Sequence, residues 1–336
     1  MSHFKGFPAD RTFIVAEVGN NHEGSAAVAA DLVKEAAKAG VDAVKFQTFR
    51  TEEFISPRQE ERFARMQRFE LSEAEFTDLA ELAHSCGLFF MSTPLDHSSA
   101  RFLGGIVDIM KVASGDITHL PLIREVSQHG MPMVISTGNA TLPEIDIAME
   151  AAQTARPEAS QDAEIALLHC VSAYPTPDEE ANLAAMSTLR QRYGCPIGYS
   201  DHTSGISVAV LAVAAGARII EKHFTLDNNY SDFRDHQLSA DPAAMAEMVA
   251  EIRQAELVLG TGEKSPRACE SPSRIEIRRS IAIGKPVAAG TVLTEEHLVW
   301  LRPGDGLQPG DETSILGRKA AHDLMPGTFP KVDDFL

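Results

Sequence analysis

Cysteine, aromatic side chains, positive charge and long apolar runs are all scarce in this chain, and each scarcity removes a class of protein. The four cysteines, Cys86, Cys170, Cys195 and Cys269, form no CxxC pair and no even spacing. Neither a zinc knuckle nor a disulfide framework is encoded, and the thiols suit a reducing compartment. Lys and Arg number 30 against 48 Asp and Glu, a formal net charge of -18, so nucleic acid and anionic membrane surfaces are repelled. A few converging lysines can still bind an anion, because the diffuse surface charge is screened over roughly 8 Å at physiological salt. No apolar run reaches the roughly 20 residues that span a bilayer, and the start, MSHFKGFPADRT, lacks the apolar core of a secretory leader. The expectation is a cytoplasmic protein.

Aromatics make up only 6% of the chain, but hydrophobic residues reach 44% and charged ones 23%, the balance of a folded globular protein. From Phe13 onward, short β-rich runs alternate with helical patterns, the signature of a parallel α/β fold. The strand candidates are 13–17, 42–47, 88–93, 109–114, 132–137, 165–170, 196–200 and 218–224. Helical patterns lie between them, as at 25–40, 71–87 and 141–155, with Ser72 and Glu75 forming a capping box and Gly40 and Gly87 suited to helix ends. Eight such units over residues 1–260 predict a closed (β/α)8 TIM barrel, with a doubly wound open sheet as the alternative. A Ser-, Pro- and charge-rich stretch, 261–275, reads as a linker. Residues 276–336, whose β-like runs are broken by Gly and Pro, read as a small, mostly β module with one capped turn at TEEH.

In a parallel barrel the C-terminal strand ends face the active site. Nearly every strand here ends in polar groups: Glu17; Lys45 and Gln47; Ser92 and Thr93; Lys111 and Ser114; Ser136 and Thr137; His169; Ser200, Asp201 and His202; Glu221, Lys222 and His223. Tyr174 follows strand six. Taken singly, a strand-end Ser or Thr reads as a helix cap and a Lys as a solvated cation; the series reads as a site. His202 and His223 end neighbouring strands, roughly 4.8 Å apart, so two inward imidazoles can share one divalent ion. Period two places Glu221 with His223 on one face and turns Lys222 toward the helices. Lys45 and Lys111, with the hydroxyls of Thr93, Ser114, Ser136 and Ser200, suit an anion such as a phosphate.

The stretches FIVAEVGNNHEGS, DAVKFQT, FMSTP, MKVASGD, ISTGNA, LLHCVSAYPTP, IGYSDHT, IIEKHFTLD and RRSIAIGKPVAAGTVLTEEHLVWLRPGDG run in order over nearly the whole chain. Together they resemble the sialic acid synthase family, metal-dependent enzymes that condense phosphoenolpyruvate with an N-acetylmannosamine-type sugar into nonulosonic acids. The resemblance implies a C-terminal antifreeze-like (SAF) domain that caps the partner's barrel in a domain-swapped homodimer, with Arg302 reaching the sugar bound there. It also implies that His202 and His223 bind the metal, commonly manganese, with magnesium or cobalt as alternatives. Lys45, Thr93, Lys111, Ser114, Ser136 and Ser200 would then hold phosphoenolpyruvate, and Gln47, Tyr174 and Asp235 would face the amino-sugar aldose. Glu17 and Glu221 would be the acid and base candidates. Asp116, counted with the substrate-binding residues, stands where close relatives carry Glu, and Ser172 where some carry Asn. Phe233 and Arg234 replace the usual Gly-Pro beside the sugar.

The acceptor is open among N-acetylmannosamine, its 6-phosphate and the diacetamido-trideoxy sugars of legionaminic and pseudaminic acids. Arg50, Arg58, Arg62 and Arg65, in the long loop after strand two, either meet a phosphate or form a solvated helical face. A Schiff-base aldolase built on Lys45 or Lys111 needs no metal and leaves the histidine pair unexplained. A glycan- or ice-binding module fused to an inactive barrel leaves the charged strand ends unexplained.

Overall fold

The computed structural model describes residues 7, 8, 10–161 and 164–336, and the chain divides between Gly260 and Thr261 into two compact units. In the first, eight parallel strands close in sequence order: β1 (Phe13–Gly19), β2 (Ala43–Thr48), β3 (Phe89–Pro94), β4 (Ile109–Val112), β5 (Met133–Ser136), β6 (Ile165–Cys170), β7 (Ile197–Asp201) and β8 (Ile219–His223). β1 pairs with both β2 and β8. The closed barrel is therefore the fold and the open sheet is excluded.

Around the strands lie α1 (Ala26–Ala39), α2 (Thr51–Phe54), α3 (Glu60–Phe69), α4 (Glu73–Ser85), α5 (His97–Leu103), α6 (Leu120–Gln128), α7 (Leu142–Ala155), α8 (Ala185–Tyr193), α9 (Ser207–Ala214), α10 (Arg234–Leu238) and α11 (Pro242–Leu259). Their ends follow local chemistry. Ser25 accepts the Val28 amide at the start of α1, Gly40 ends that helix at φ 83°, and Ser72 with Glu75 closes the capping box of α4.

Side-chain alternation splits each strand between two environments. Outward residues such as Ile14, Ala16, Val18, Val44, Phe46 and Phe90 bury against helix residues such as Leu32, Val33 and Ala36. Inward residues Phe13, Val15, Ala43, Met91, Ile109, Val134, Ala166, Leu168 and Ile219 form an apolar plug. Phe7 meets Phe13 edge-on at its base, with centroids 5.5 Å apart. At about 1.5–3 kcal/mol per large apolar side chain, the plug stabilises the barrel and leaves the next inward layer to polar groups.

The second unit has its own core of Ile281, Ile283, Val287, Leu293, Ile315, Ala320, Leu324 and Phe335. Its strands β9 (Ser280–Ile283) and β10 (Leu298–Leu301) are antiparallel, and a 3-10 turn at Glu295–His297 occupies the TEEH segment. The stretch 261–275, expected as a linker, carries a 3-10 turn at Ala268–Glu270 and the start of α12 (Ser273–Ile277). Among the described residues no helix is long and apolar enough to cross a membrane.

Candidate active site

Directly above the plug, the inward positions of β1, β2, β4 and β8 bring four ionisable groups together. Lys45 Nζ lies 2.7 Å from Glu17 Oε2 and 3.6 Å from Glu221 Oε2, and Lys111 Nζ lies 3.6 Å from Glu221 Oε1. All four side chains are almost completely buried. Burial alone would discharge them, so the cluster persists by mutual neutralisation.

The partners are shared unequally. Burial raises the pKa of Glu17, and the charge of Glu221 adds to that; Lys45 only partly offsets it. Burial also opposes the charge of Glu221, but both lysines and the Ser200 hydroxyl, which donates to Oε1 at 2.9 Å, outweigh it and hold the carboxyl at about 2. Despite its burial, Lys45 is held above the usual lysine value by its two carboxylates, whereas burial pushes Lys111 below it. The two carboxyls are thus driven apart, Glu17 upward by its burial and Glu221 downward by its lysines.

Hydroxyls and amides complete this side. Lys45 donates to Thr93 Oγ1 at 3.3 Å, Gln47 donates to Glu17 Oε1 at 3.3 Å, and Asn20 donates to Gln47 at 2.9 Å. The Gly138 amide donates to Ser114 Oγ at 3.0 Å. A Cβ on Gly138 would meet Ser172 Oγ at 2.4 Å and Cys170 Sγ at 2.8 Å, so only glycine permits this approach. The Ser136 hydroxyl is buried with no partner among the described residues, which leaves it free to donate to a ligand.

Across the mouth, His202 and His223 stand with ring centroids 5.4 Å apart. The Val171 carbonyl lies 2.7 Å from His202 Nδ1, so that nitrogen donates and Nε2 presents its lone pair. Burial, assisted by His223, lowers His202 to about 4, and burial lowers His223 as well. Both rings are neutral at pH 7, the form that binds metals. Metal–nitrogen bonds of about 2.1 Å would place two imidazole centroids roughly 5 Å apart around one ion. His223 Nδ1 is buried without a partner among the described residues. The pair therefore fits a divalent ion by spacing, tautomer and charge. Among the described residues no group of three His, Cys, Asp or Glu is placed to hold one, so water or substrate must supply the remaining ligands.

Glu17, Lys45, Gln47, Thr93, Lys111, Ser114, Ser136, Tyr174, Ser200, His202, Glu221, His223 and Asp235 all line one cavity of about 340 Å3. Asp116 is absent from that lining. β4 stops at Val112, and the 3-10 turn Ser114–Asp116 carries the carboxyl into a partly buried position of its own, where burial raises its pKa. Arg302 is an exposed residue of the second unit. His169 also departs from the strand-end expectation: its Nε2 lies 2.9 Å from the Ala181 carbonyl, and Cys170 faces the cavity instead. Lys222 turns outward as period two predicts, donating to Asp201 Oδ2 at 2.9 Å and to the Thr203 carbonyl at 2.6 Å.

Sequence reasoning did not select Asn139, Cys170 or Arg234 as site residues and left Arg62 open between a phosphate contact and a solvated helical face, yet all four line the cavity. Arg234 was visible only as a departure from the family pattern. Its guanidinium carbon sits 4.8 Å over the Tyr174 ring, which stacks on His202 at 4.2 Å.

A closed parallel barrel with cations, carboxylates and paired imidazoles gathered at its C-terminal mouth defines a (β/α)8-barrel enzyme. Residues 32–264 match the NeuB family and residues 278–329 the SAF domain, and the chain belongs to the NeuB family of nonulosonic acid synthases. It is 44% identical to an uncharacterized protein of Methanocaldococcus jannaschii, over 99% of this chain and 96% of that one. It is 39% identical to the N,N'-diacetyllegionaminic acid synthase of Legionella pneumophila, over 94% of this chain and 92% of the relative. Among solved structures, the N-acetylneuraminic acid (sialic acid) synthetase of Leptospira borgpetersenii in complex with citrate superposes with a TM-score of 0.74 at 35% identity, covering 81% of this chain and 96% of that one.

Proposed function

We propose that this protein condenses phosphoenolpyruvate with an N-acetylmannosamine-type aldose to form a nonulosonic acid, releasing phosphate by C–O cleavage. The observation that carries the reading is the single cavity in which Lys45, Lys111, Glu17 and Glu221 face His202 and His223.

Lys45 and Lys111 offset the charge of phosphoenolpyruvate, and Thr93, Ser114, Ser136 and Ser200 donate to its oxygens. This fixes C3 of phosphoenolpyruvate against the aldehyde carbon, and much of the rate comes from that alignment. His202 and His223 would hold a divalent ion, manganese by family resemblance, which when bound would polarise the aldehyde oxygen. Gln47, Tyr174 and Asp235 orient the sugar. The C3–carbon bond forms as the aldehyde oxygen becomes an alkoxide, and Glu17, whose Cα pairs in register with His223, supplies its proton. Water then adds at C2 and Glu221 takes one of its protons; the C2–O bond to phosphate breaks as the new C2 hydroxyl gives its remaining proton to the departing phosphate, leaving a 2-keto-3-deoxy acid. Separated carboxyl pKa values suit this division between acid and base. The ion pairs that keep Lys45 protonated disfavour it as a Schiff-base nucleophile.

The test is phosphate release from phosphoenolpyruvate with manganese and a panel of amino-sugar acceptors, with the keto acid identified by mass. Borohydride trapping of a lysine adduct in chelator would replace this reading with the aldolase. The homodimer and the capping arginine belong to the same proposal. Deletion of 276–336 is expected to abolish turnover, and full activity of the truncated chain would remove Arg302 from it.

A further inference from the structure

Next to the reaction cavity is a second one, of about 550 Å3, whose polar lining is Glu23, Arg65, Arg68, Ser231, Asp232 and Arg234. Arg234 lines both cavities.

The walls of the second cavity are held in place by packing. Phe69, the last residue of α3, meets Phe233 edge-on with centroids 5.3 Å apart. Gly24, at φ +84°, lets the Arg68 carbonyl come so close that a Cβ there would lie 2.0 Å from it. The helix carrying Arg65 and Arg68 is thereby seated on the loop after β1 and on the loop after β8.

The charge of this lining runs against that of the molecule. Glu23 is engaged, accepting from the Ser231 hydroxyl and lying 3.3 Å from His236 Nε2. Glu23 and Asp232 thus face three guanidinium groups, of which Arg234 lies 3.5 Å from Asp235 Oδ1, in a chain of net charge -18. Among the described residues no ion pair or side-chain hydrogen bond engages the guanidinium of Arg65 or Arg68. Unpaired guanidinium groups present forked donors that match the oxygens of a phosphate dianion.

We propose that this cavity is the subsite for the far end of the acceptor and that it takes a phosphate monoester there. The inference rests on the synthase reading above and specifies its substrate as the 6-phosphate of an N-acetylated aldose. The spacing is suitable. Steps of 4.8 Å from Arg234 to Tyr174 and 4.2 Å from Tyr174 to His202 keep the guanidinium within about 9 Å of the imidazole beside which the aldehyde is placed. The five C–C bonds of an open-chain hexose, at about 1.5 Å each, with a phosphate beyond them, cover such a distance.

The full chain, supplied with manganese and phosphoenolpyruvate, is to be assayed for phosphoenolpyruvate consumption with N-acetylmannosamine and with its 6-phosphate. The phosphorylated sugar is expected to show a kcat/KM at least about tenfold higher. Replacing Arg65→Gln and Arg68→Gln together should collapse that ratio toward one, while the KM for phosphoenolpyruvate stays within about twofold. An unchanged melting temperature of the double variant guards against misfolding. Preference for the neutral sugar, or a ratio that the double variant does not move, overturns the subsite and leaves the synthase reading standing. Consumption with no acceptor in the panel overturns both.

Discussion

At the mouth of the barrel the ammonium groups of β2 and β4 are matched by carboxyls from β1 and β8, whereas the ends of β7 and β8 bring together two neutral imidazoles, one with a ring nitrogen that has no partner among the described residues. On the lysine side every charge is compensated within 3.6 Å, so an incoming anion must compete with carboxylates already in place. On the imidazole side the protein leaves donor atoms unspent. The first half is therefore expected to respond to protons and the second to metal.

The largest effect should come from the incomplete half. His202→Ala removes one of only two imidazole donors, and turnover is expected to fall by about a thousandfold or more, recovering in part at high manganese. Full activity of this variant in chelator would erase the distinction between the halves. The matched half is probed by Lys45→Met, which leaves Glu17 and Glu221 with Lys111 as their remaining ammonium. A loss of about 3–5 kcal/mol in denaturant unfolding is expected. Adding Glu17→Gln should return much of it, and a double variant as unstable as the single one would show that the charges are not coupled.

A smaller effect sharpens the same contrast. Burial holds the folded pKa of Glu17 above the ordinary 4.5, and an anion on Lys45 favours its protonated form further. Phosphoenolpyruvate binding should therefore take up a proton. Affinity is greatest below the raised pKa of the free site and falls as pH rises through it, by at most about tenfold per unit for one proton. Calorimetry in two buffers of different ionisation heat measures the uptake, and Glu17→Gln should abolish it.

Much of this site could be read from period two alone. Lys45 with Gln47, and Glu221 with His223, were assigned to one face because residues two apart on a strand must share it, and the outward Lys222 follows from the same rule. The rule needs a phase, and β6 has none in its sequence: Ile165, Ala166, Leu167 and Leu168 are apolar on both faces, so nothing shows whether His169 or Cys170 points inward. His169 is the more polar of the two, and the barrel interior took Cys170. Asp116 is placed by family resemblance and not by alternation, which ends with β4 at Val112; it lies in the turn that follows, outside the cavity lining. Arg68 and Arg234 lay beyond any periodic signal, because their convergence depends on where α3 is seated, and that is set by contacts with Gly24 and Phe233 far along the chain.

The bond from His202 to Val171 bears on how this site can vary through descent. What the imidazole meets is a main-chain carbonyl, and every amino acid supplies one. Position 171 can therefore change its side chain freely without altering which nitrogen of His202 carries the hydrogen. The inheritance that matters there is the path of the loop after β6, a property that residue-by-residue comparison of sequences does not record.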